Sequence, residues 1–93
     1  MKTITWSDGL TLKLDPNAIE DFRLDWNDWL ATETITSALA LAENCAAVVQ
    51  FSAQGRVAFR VSEALPGAKV TCRVQTNAGR QQDRTIHFEV VER

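Results

Sequence analysis

The stretch that decides the fold is Lys69-Val-Thr-Cys-Arg-Val-Gln-Thr76, followed after a loop by Arg84-Thr-Ile-His-Phe-Glu-Val-Val91. In both runs apolar residues alternate with polar ones. Side chains on a β-strand point to opposite faces with a period of two, so each run builds a strand with one apolar and one polar face. The intervening Asn77-Ala-Gly-Arg80 is rich in residues typical of a loop.

The same alternation recurs through the rest of the chain. Five runs show it in all, and their apolar members are Leu10, Leu12, Leu14; Phe22, Leu24, Trp26; Val57, Phe59, Val61; Val70, Cys72, Val74; and Ile86, Phe88, Val90. Two-sided strands of this kind must cover one another's apolar faces. A chain of 93 residues is the size of one domain. We therefore predict an all-β protein, a small antiparallel β-sandwich or barrel of about seven or eight strands, with residues 1–93 forming a single domain.

Turn signals separate the predicted strands. Ser7-Asp8-Gly9 predicts a hairpin turn, because Asp-Gly supplies the positive φ that a tight turn needs. A loop begins at Asp15-Pro16-Asn17, since proline cannot donate to a strand ladder. Asn27–Leu30 suits a single helical turn or a bend, and Pro66-Gly67 predicts a further turn.

One segment, Thr34 to Val49, carries conflicting signals. Ala38–Ala46 has high helix propensity, and Ile35, Leu39 and Ala42 would share a helical face. An isolated helix fits poorly among sequential strands, so two short strands broken near Glu43-Asn44 are the preferred interpretation.

Charge and hydropathy exclude several classes of protein. The net charge of −2 argues against a dedicated nucleic-acid binder. No stretch approaches the ~20 apolar residues of a membrane span, and Met1–Trp6 lacks the apolar centre of a secretory signal. Residues 1–43 hold eight acids and three bases, and residues 44–93 hold four acids and seven bases. Either the two halves pair within the fold, or oppositely charged faces favour head-to-tail association.

Residue types that carry chemistry do not form a recognisable site. The acids Asp15, Glu20, Asp21, Asp25 and Asp28 crowd one segment, but they lack the glycine and regular spacing of a calcium loop, so a solvated face is the preferred interpretation. Cys45 and Cys72 have no metal-ligand or redox spacing. We interpret both cysteines as small buried hydrophobic residues, with an inter-sheet disulfide as the alternative in a secreted protein. The single histidine, His87, falls on the polar face of the last strand. We predict no catalytic residues, no metal and no cofactor.

The candidate interaction residues are aromatic and charged. Trp26 is in phase with the core positions of its strand, whereas Trp29 lies just past them and suits either a core or an interface. Arg80 and Arg84 flank the last turn, as an exposed basic loop or as a docking point for an acidic neighbour. The predicted interaction surface consists of four residues: Asp28, Trp29, Arg80 and Arg84.

A resemblance to a known family rests on two blocks. The first is Asp25-Trp-Asn-Asp-Trp-Leu30, followed by Thr34-Ile-Thr-Ser37. The second is Val70-Thr-Cys-Arg-Val-Gln-Thr76, followed by Gly79-Arg80, Arg84-Thr-Ile86 and the closing Val90–Arg93. Over about residues 14–93, the chain resembles the small phage and prophage proteins grouped as fiber-tail adaptors.

This resemblance implies an immunoglobulin-like β-sandwich and a role as a non-enzymatic virion protein, assembled in the cytoplasm of the bacterial host. Other virion proteins would be its partners, with self-association into a ring as a further option, and with no nucleic acid and no membrane. The alternative function is a ligand-recognition module, in which Trp29 would stack on a glycan or a host-surface molecule.

Overall fold

The computed structural model describes residues 2–91, which form eight strands and one short helix. In chain order the elements are β1 (Lys2–Thr5), β2 (Thr11–Leu14), β3 (Glu20–Asp25), α1 (Asn27–Leu30), β4 (Ile35–Glu43), β5 (Ala46–Ala53), β6 (Arg56–Ser62), β7 (Lys69–Thr76) and β8 (Gln81–Val90). The helix is the single turn predicted at these residues.

Two four-stranded sheets pack face to face, with strand orders β1-β3-β6-β5 and β2-β8-β7-β4. The alternating apolar residues of both sheets point inward and make one core. Its largest fully buried members are Trp26, Phe59, Leu24, Leu30 and Ile86. The predicted all-β sandwich is confirmed.

The sheets are mixed, which corrects the expectation of a wholly antiparallel arrangement. β1 runs parallel to β3, with Ile4 opposite Leu24, and β2 runs parallel to β8, with Leu12 opposite Phe88. The predicted hairpin at Ser7–Gly9 is therefore wrong. The turn exists, with the Leu10 N–H donating to the Ser7 carbonyl at 3.0 Å, but it carries the chain from one sheet to the other. The alternation of apolar and polar residues identifies the buried face of a strand, but it does not identify which strands pair with it.

The segment of conflicting signals is extended throughout. β4 and β5 meet at Asn44–Cys45 and belong to different sheets. Along β4, Ala38 and Ala40 are partly buried against the core while Leu39 and Leu41 are exposed. Pairing with β7 supplies long-range backbone hydrogen bonds that an isolated helix lacks, and it overrides the helix propensity of the alanines. The interpretation as two strands broken near Glu43-Asn44 is confirmed, but the strands are nine and eight residues long rather than short.

Connections gather at the two ends of the sandwich. One end, here called the α1 end, holds α1, the Gln54–Gly55 turn and the Asn77–Arg80 loop. The Trp26 N–H donates to the Gly55 carbonyl at 2.9 Å, and the Thr34 carbonyl accepts from Asn77 N–H at 3.0 Å. These hydrogen bonds tie the three connections together.

Candidate interaction surface

Three indoles and two guanidinium groups form a row at the α1 end, here called the tryptophan–arginine ladder. Arg84 lies between Trp26 and Trp6, with its Cζ 4.4 Å and 5.1 Å from the two ring centroids. Trp26 meets Trp29 edge to face, with centroids 5.6 Å apart at 65°. Arg80 caps the row, its Cζ 4.3 Å from the Trp29 centroid. Guanidinium groups favour aromatic faces, because the ring quadrupole attracts a cation.

Arg84 is a buried residue, only 5% exposed, which corrects its interpretation as part of an exposed basic loop. β8 begins at Gln81, so Arg84 shares the inward face of the strand with Ile86 and Phe88. Its Nη1 and Nη2 donate to Oδ1 and Oδ2 of Asp28, each at 3.0 Å. A bidentate pair of this kind fixes the geometry of both side chains. Two residues of the predicted interaction surface, Arg84 and Asp28, thus contact each other within the chain.

Arg80 anchors the Asn77–Arg80 loop to the segment that follows α1. Its Nη2 lies 2.8 Å from Oε2 of Glu33 and donates to the Trp29 carbonyl at 3.0 Å. The Thr76 hydroxyl donates to Glu33 Oε1 at 2.6 Å. The hydrogen bonds from Arg80 and then from Thr76 hold the pKa of Glu33 below its usual value, since they favour the carboxylate. Arg80 itself is exposed.

The tryptophans differ in burial, as their positions in the sequence suggest. Trp26 is fully buried, as predicted, and Trp29 is partly buried against the core. Sequence reasoning missed Trp6, whose indole N–H donates to the Thr85 carbonyl at 3.0 Å. A signal for it existed, because Trp6 is two residues beyond the buried Ile4 and shares its face. Glu33 had no such signal.

Three of the five acids of the acidic segment, Asp21, Asp25 and Asp28, pair with arginines. Asp21 pairs with Arg60 at 2.8 Å and Asp25 with Arg56 at 3.4 Å. The hydrogen bond from Arg60 lowers the pKa of Asp21, and the backbone N–H of Asn27 is the main cause of the lowered pKa of Asp25. Across residues 2–91, no group of three or more His, Cys, Asp or Glu side chains is placed to hold a metal ion.

The excess acids of residues 1–43 and the excess bases of residues 44–93 form ion pairs with each other within the chain. Of the six ion pairs among the described residues, five join an acid of residues 1–43 to a base of residues 44–93. The other pair joins Arg73 to Asp83 within the second half. Pairing within the fold, the first of the two explanations, is confirmed.

The chain also contains two cysteines and one histidine. Cys72 is fully buried, and burial raises the pKa of its thiol to about 12. Cys45 is only partly buried rather than buried as predicted, and both thiols are free. His87 is exposed on the outer face of β8, as predicted.

In contrast to the α1 end, β4 and β5 leave large apolar side chains exposed to solvent. The segment 35–53 contains no buried residue, although both strands are long. Four large apolar side chains on it are 43–64% exposed: Leu39, Leu41, Val48 and Phe51. We call these four residues the apolar edge, because β4 and β5 are the outer strands of their sheets on one side of the sandwich. Neighbouring exposed apolar residues on one face of a strand, such as Leu39 and Leu41, are typical of interaction sites.

The grooves of the described surface offer little for chemistry. One groove, of about 520 Å³, opens between β2 and β3 and is lined by Leu12, Leu14 and Phe22 with flanking charged residues. Over residues 2–91 the one helix has four residues, too few to cross a membrane.

Comparison with known proteins identifies a family. The family model described as podophage GP4 fiber-tail adaptor protein gp77 matches residues 14–89. This interval contains β3–β7, most of β8 and every member of the ladder except Trp6. No curated protein matches the chain.

Proposed function

Because residues 14–89 place this chain in the podophage fiber-tail adaptor family, we propose that it is a non-enzymatic adaptor that joins other virion proteins in a phage or prophage tail. It would act as one immunoglobulin-like domain, assembled into the virion in the host cytoplasm. The family match is the observation that carries this proposal. It covers strands of both sheets and most of the α1 end, although β1 and most of β2 lie outside the matched interval.

The surface proposed for contact is the exposed rim of the ladder. Asp28 presents 64% of its side chain to solvent while holding the buried Arg84, and Arg80 presents 43% of its side chain while capping Trp29. Rigid, pre-positioned charged groups on an aromatic base lose little side-chain freedom when a partner binds. The ion pairs would also give the contact its orientation. An adaptor requires such a fixed geometry at a joint.

The same geometry disfavours the alternative of glycan recognition. A sugar-binding tryptophan presents a free ring face, but Arg80 covers one face of Trp29, and Trp29 also packs edge to face with Trp26. The net charge of −2, with most bases already paired to acids, likewise supports a partner that is neither nucleic acid nor an anionic membrane.

The test is a binding experiment with the tail and fiber proteins encoded by the same phage or prophage. The purified chain should co-elute with at least one of them in size-exclusion chromatography, with a defined stoichiometry from light scattering. Absence of a complex with every tail and fiber protein would overturn the proposal.

Two variants locate the contact. Ala78→Arg adds bulk and charge to the exposed Asn77–Arg80 loop, and it should weaken the complex about tenfold or more, equivalent to about 1.4 kcal/mol. Leu65→Arg makes a matched change at the opposite end, where Leu65 is 60% exposed, and should leave the affinity unchanged. The reverse result would move the contact to the opposite end of the sandwich.

A further inference from the structure

β4 is the outer strand of its sheet and pairs only with β7. Its other side therefore presents a row of backbone N–H and C=O groups that no strand of residues 2–91 pairs. Such a row is a template for another strand.

Of the four outer strands, β4 offers the longest uninterrupted edge. β1 and β2 are four residues long and carry Lys2 and Lys13. β5 is interrupted by a register shift between Val49 and Phe51. Short strands, lysines and bulges all discourage edge-to-edge pairing. β4 has a register shift of its own between Ile35 and Ser37, but beyond it the register with β7 is continuous over seven residues, from Ser37 to Glu43, and the strand contains neither lysine nor proline.

The exposed face of β4 is apolar. Leu39 and Leu41 lie on the outer side of the sheet and are 43% and 45% exposed. The one charged residue of the strand, Glu43, is already paired with Lys69 at 3.4 Å. A charged partner strand would find no unpaired charge of opposite sign on β4. An uncharged strand with leucines at the same spacing could instead pack its leucines against Leu39 and Leu41.

We propose that a second copy of this chain occupies the edge, with the two β4 strands pairing antiparallel around a two-fold axis at Ala40. This register places each Leu39 opposite Leu41 of the second copy. It also places each Glu43 opposite Ser37 of the second copy, so the two acids do not face one another. The two sheets then continue as one sheet of eight strands. The inference goes beyond the proposed adaptor function, which needs other virion proteins and not a second copy.

The symmetry of this contact determines its stoichiometry. A two-fold contact uses the same patch on both copies and closes at two, whereas a ring requires head-to-tail contacts between different patches. The internal pairing of the charges removes the electrostatic reason for a head-to-tail contact. A dimer is therefore the expected species of the isolated chain.

Sedimentation velocity of the full chain over a range of concentrations tests the inference. The mass should rise from monomer to dimer and no further. Leu41→Lys brings two ammonium groups close to the axis, diagonally across it, and should raise the dissociation constant at least about tenfold. Leu65→Lys is the control, since Leu65 is 60% exposed in the loop before β7 and should leave the constant unchanged. Circular dichroism confirms that each variant remains a β protein.

A rescue experiment tests the register. Adding Leu39→Glu to Leu41→Lys places opposite charges across the axis in this register, and it should restore the dimer towards the affinity of the parent chain. A monomer at every concentration, an assembly larger than a dimer, equal loss in the Leu65 control, or no rescue would each overturn the proposed contact. A monomer that still binds a tail or fiber protein would overturn it while the adaptor function stands.

Discussion

The tryptophan–arginine ladder and the apolar edge reverse the usual distribution of side chains between the interior and the surface. At the ladder, charged side chains are drawn into the fold, and Arg84 is buried between two indoles while Asp28 holds it from the surface. At the edge, leucine, valine and phenylalanine remain in solvent and the segment buries nothing fully. Of these two regions, we expect the ladder to contribute to folding stability, and the edge to leave apolar area exposed.

This difference has a physical origin. Burying an arginine is costly unless its charge is paired, so its environment must be rigid and specific. At Arg84 the two Nη groups have oxygen partners, while the buried Nε has none among the described residues. Exposed apolar side chains gain nothing from rigidity until a partner covers them. Substitutions at the ladder should thus change folding, and substitutions at the edge should change association.

The largest effect is expected from Trp26→Ala. Trp26 is fully buried and supports both Arg84 and Trp29, so its truncation leaves a cavity and removes two aromatic contacts. The free energy of unfolding should fall by about 3–5 kcal/mol. Urea denaturation followed by circular dichroism measures it. A loss below 1 kcal/mol, on the order of a surface substitution, would contradict the central place of Trp26.

Arg84→Lys should have the next largest effect. Lysine keeps the charge but loses the two-pronged pair with Asp28 and the planar stacking between Trp26 and Trp6. We expect a loss of about 2 kcal/mol, or a melting temperature lower by roughly 8–16 °C for a domain of this size. The control is Arg73→Lys, because the pair of Arg73 with Asp83 is largely exposed and should contribute about 1 kcal/mol or less. Equal losses in both variants would mean that burial adds nothing at the ladder.

The pH dependence of stability should show the Glu33 contact. The pKa of Glu33 is lower in the folded chain than its usual 4.5, so between the two values the unfolded state binds more protons. The stabilisation is complete above about pH 5 and is lost as the pH falls through the lowered folded value. Glu33→Gln should make the acid side of the stability curve less steep. Arg80→Gln should do the same, because the hydrogen bond from Arg80 is the largest cause of the shift. Two unchanged curves would refute this contact.

The smallest effect on folding is expected at the apolar edge. Val48 is 64% exposed, so Val48→Ala should change the free energy of unfolding by no more than about 0.5 kcal/mol. Chemical denaturation at a concentration where the chain is monomeric measures it. A loss as large as that of Arg84→Lys would show that the edge stabilises the monomer and would remove the contrast between the two regions.

Much of the architecture was predictable from local patterns, and the candidate site was predictable only in part. Trp29, Asp28, Arg80 and Arg84 do gather at one end of the sandwich, as the predicted surface requires. The burial of Arg84 was missed, because the start of β8 could not be placed from a polar run such as Gln81-Gln82-Asp83. A shift of that boundary decides whether a residue belongs to a loop or to the inner face of a strand.

The amino-acid sequence by itself determined the strands, their buried faces and the two-layer class, because a period of two can be satisfied only by covering each apolar face with another. It also determined the balance of charge between the halves. Only the tertiary structure decided which strands are neighbours, that β1 and β2 pair in parallel, and that β4 is left as a long unprotected edge. These outcomes depend on contacts between residues far apart in the chain, and local alternation carries no information about which distant strand supplies the partner.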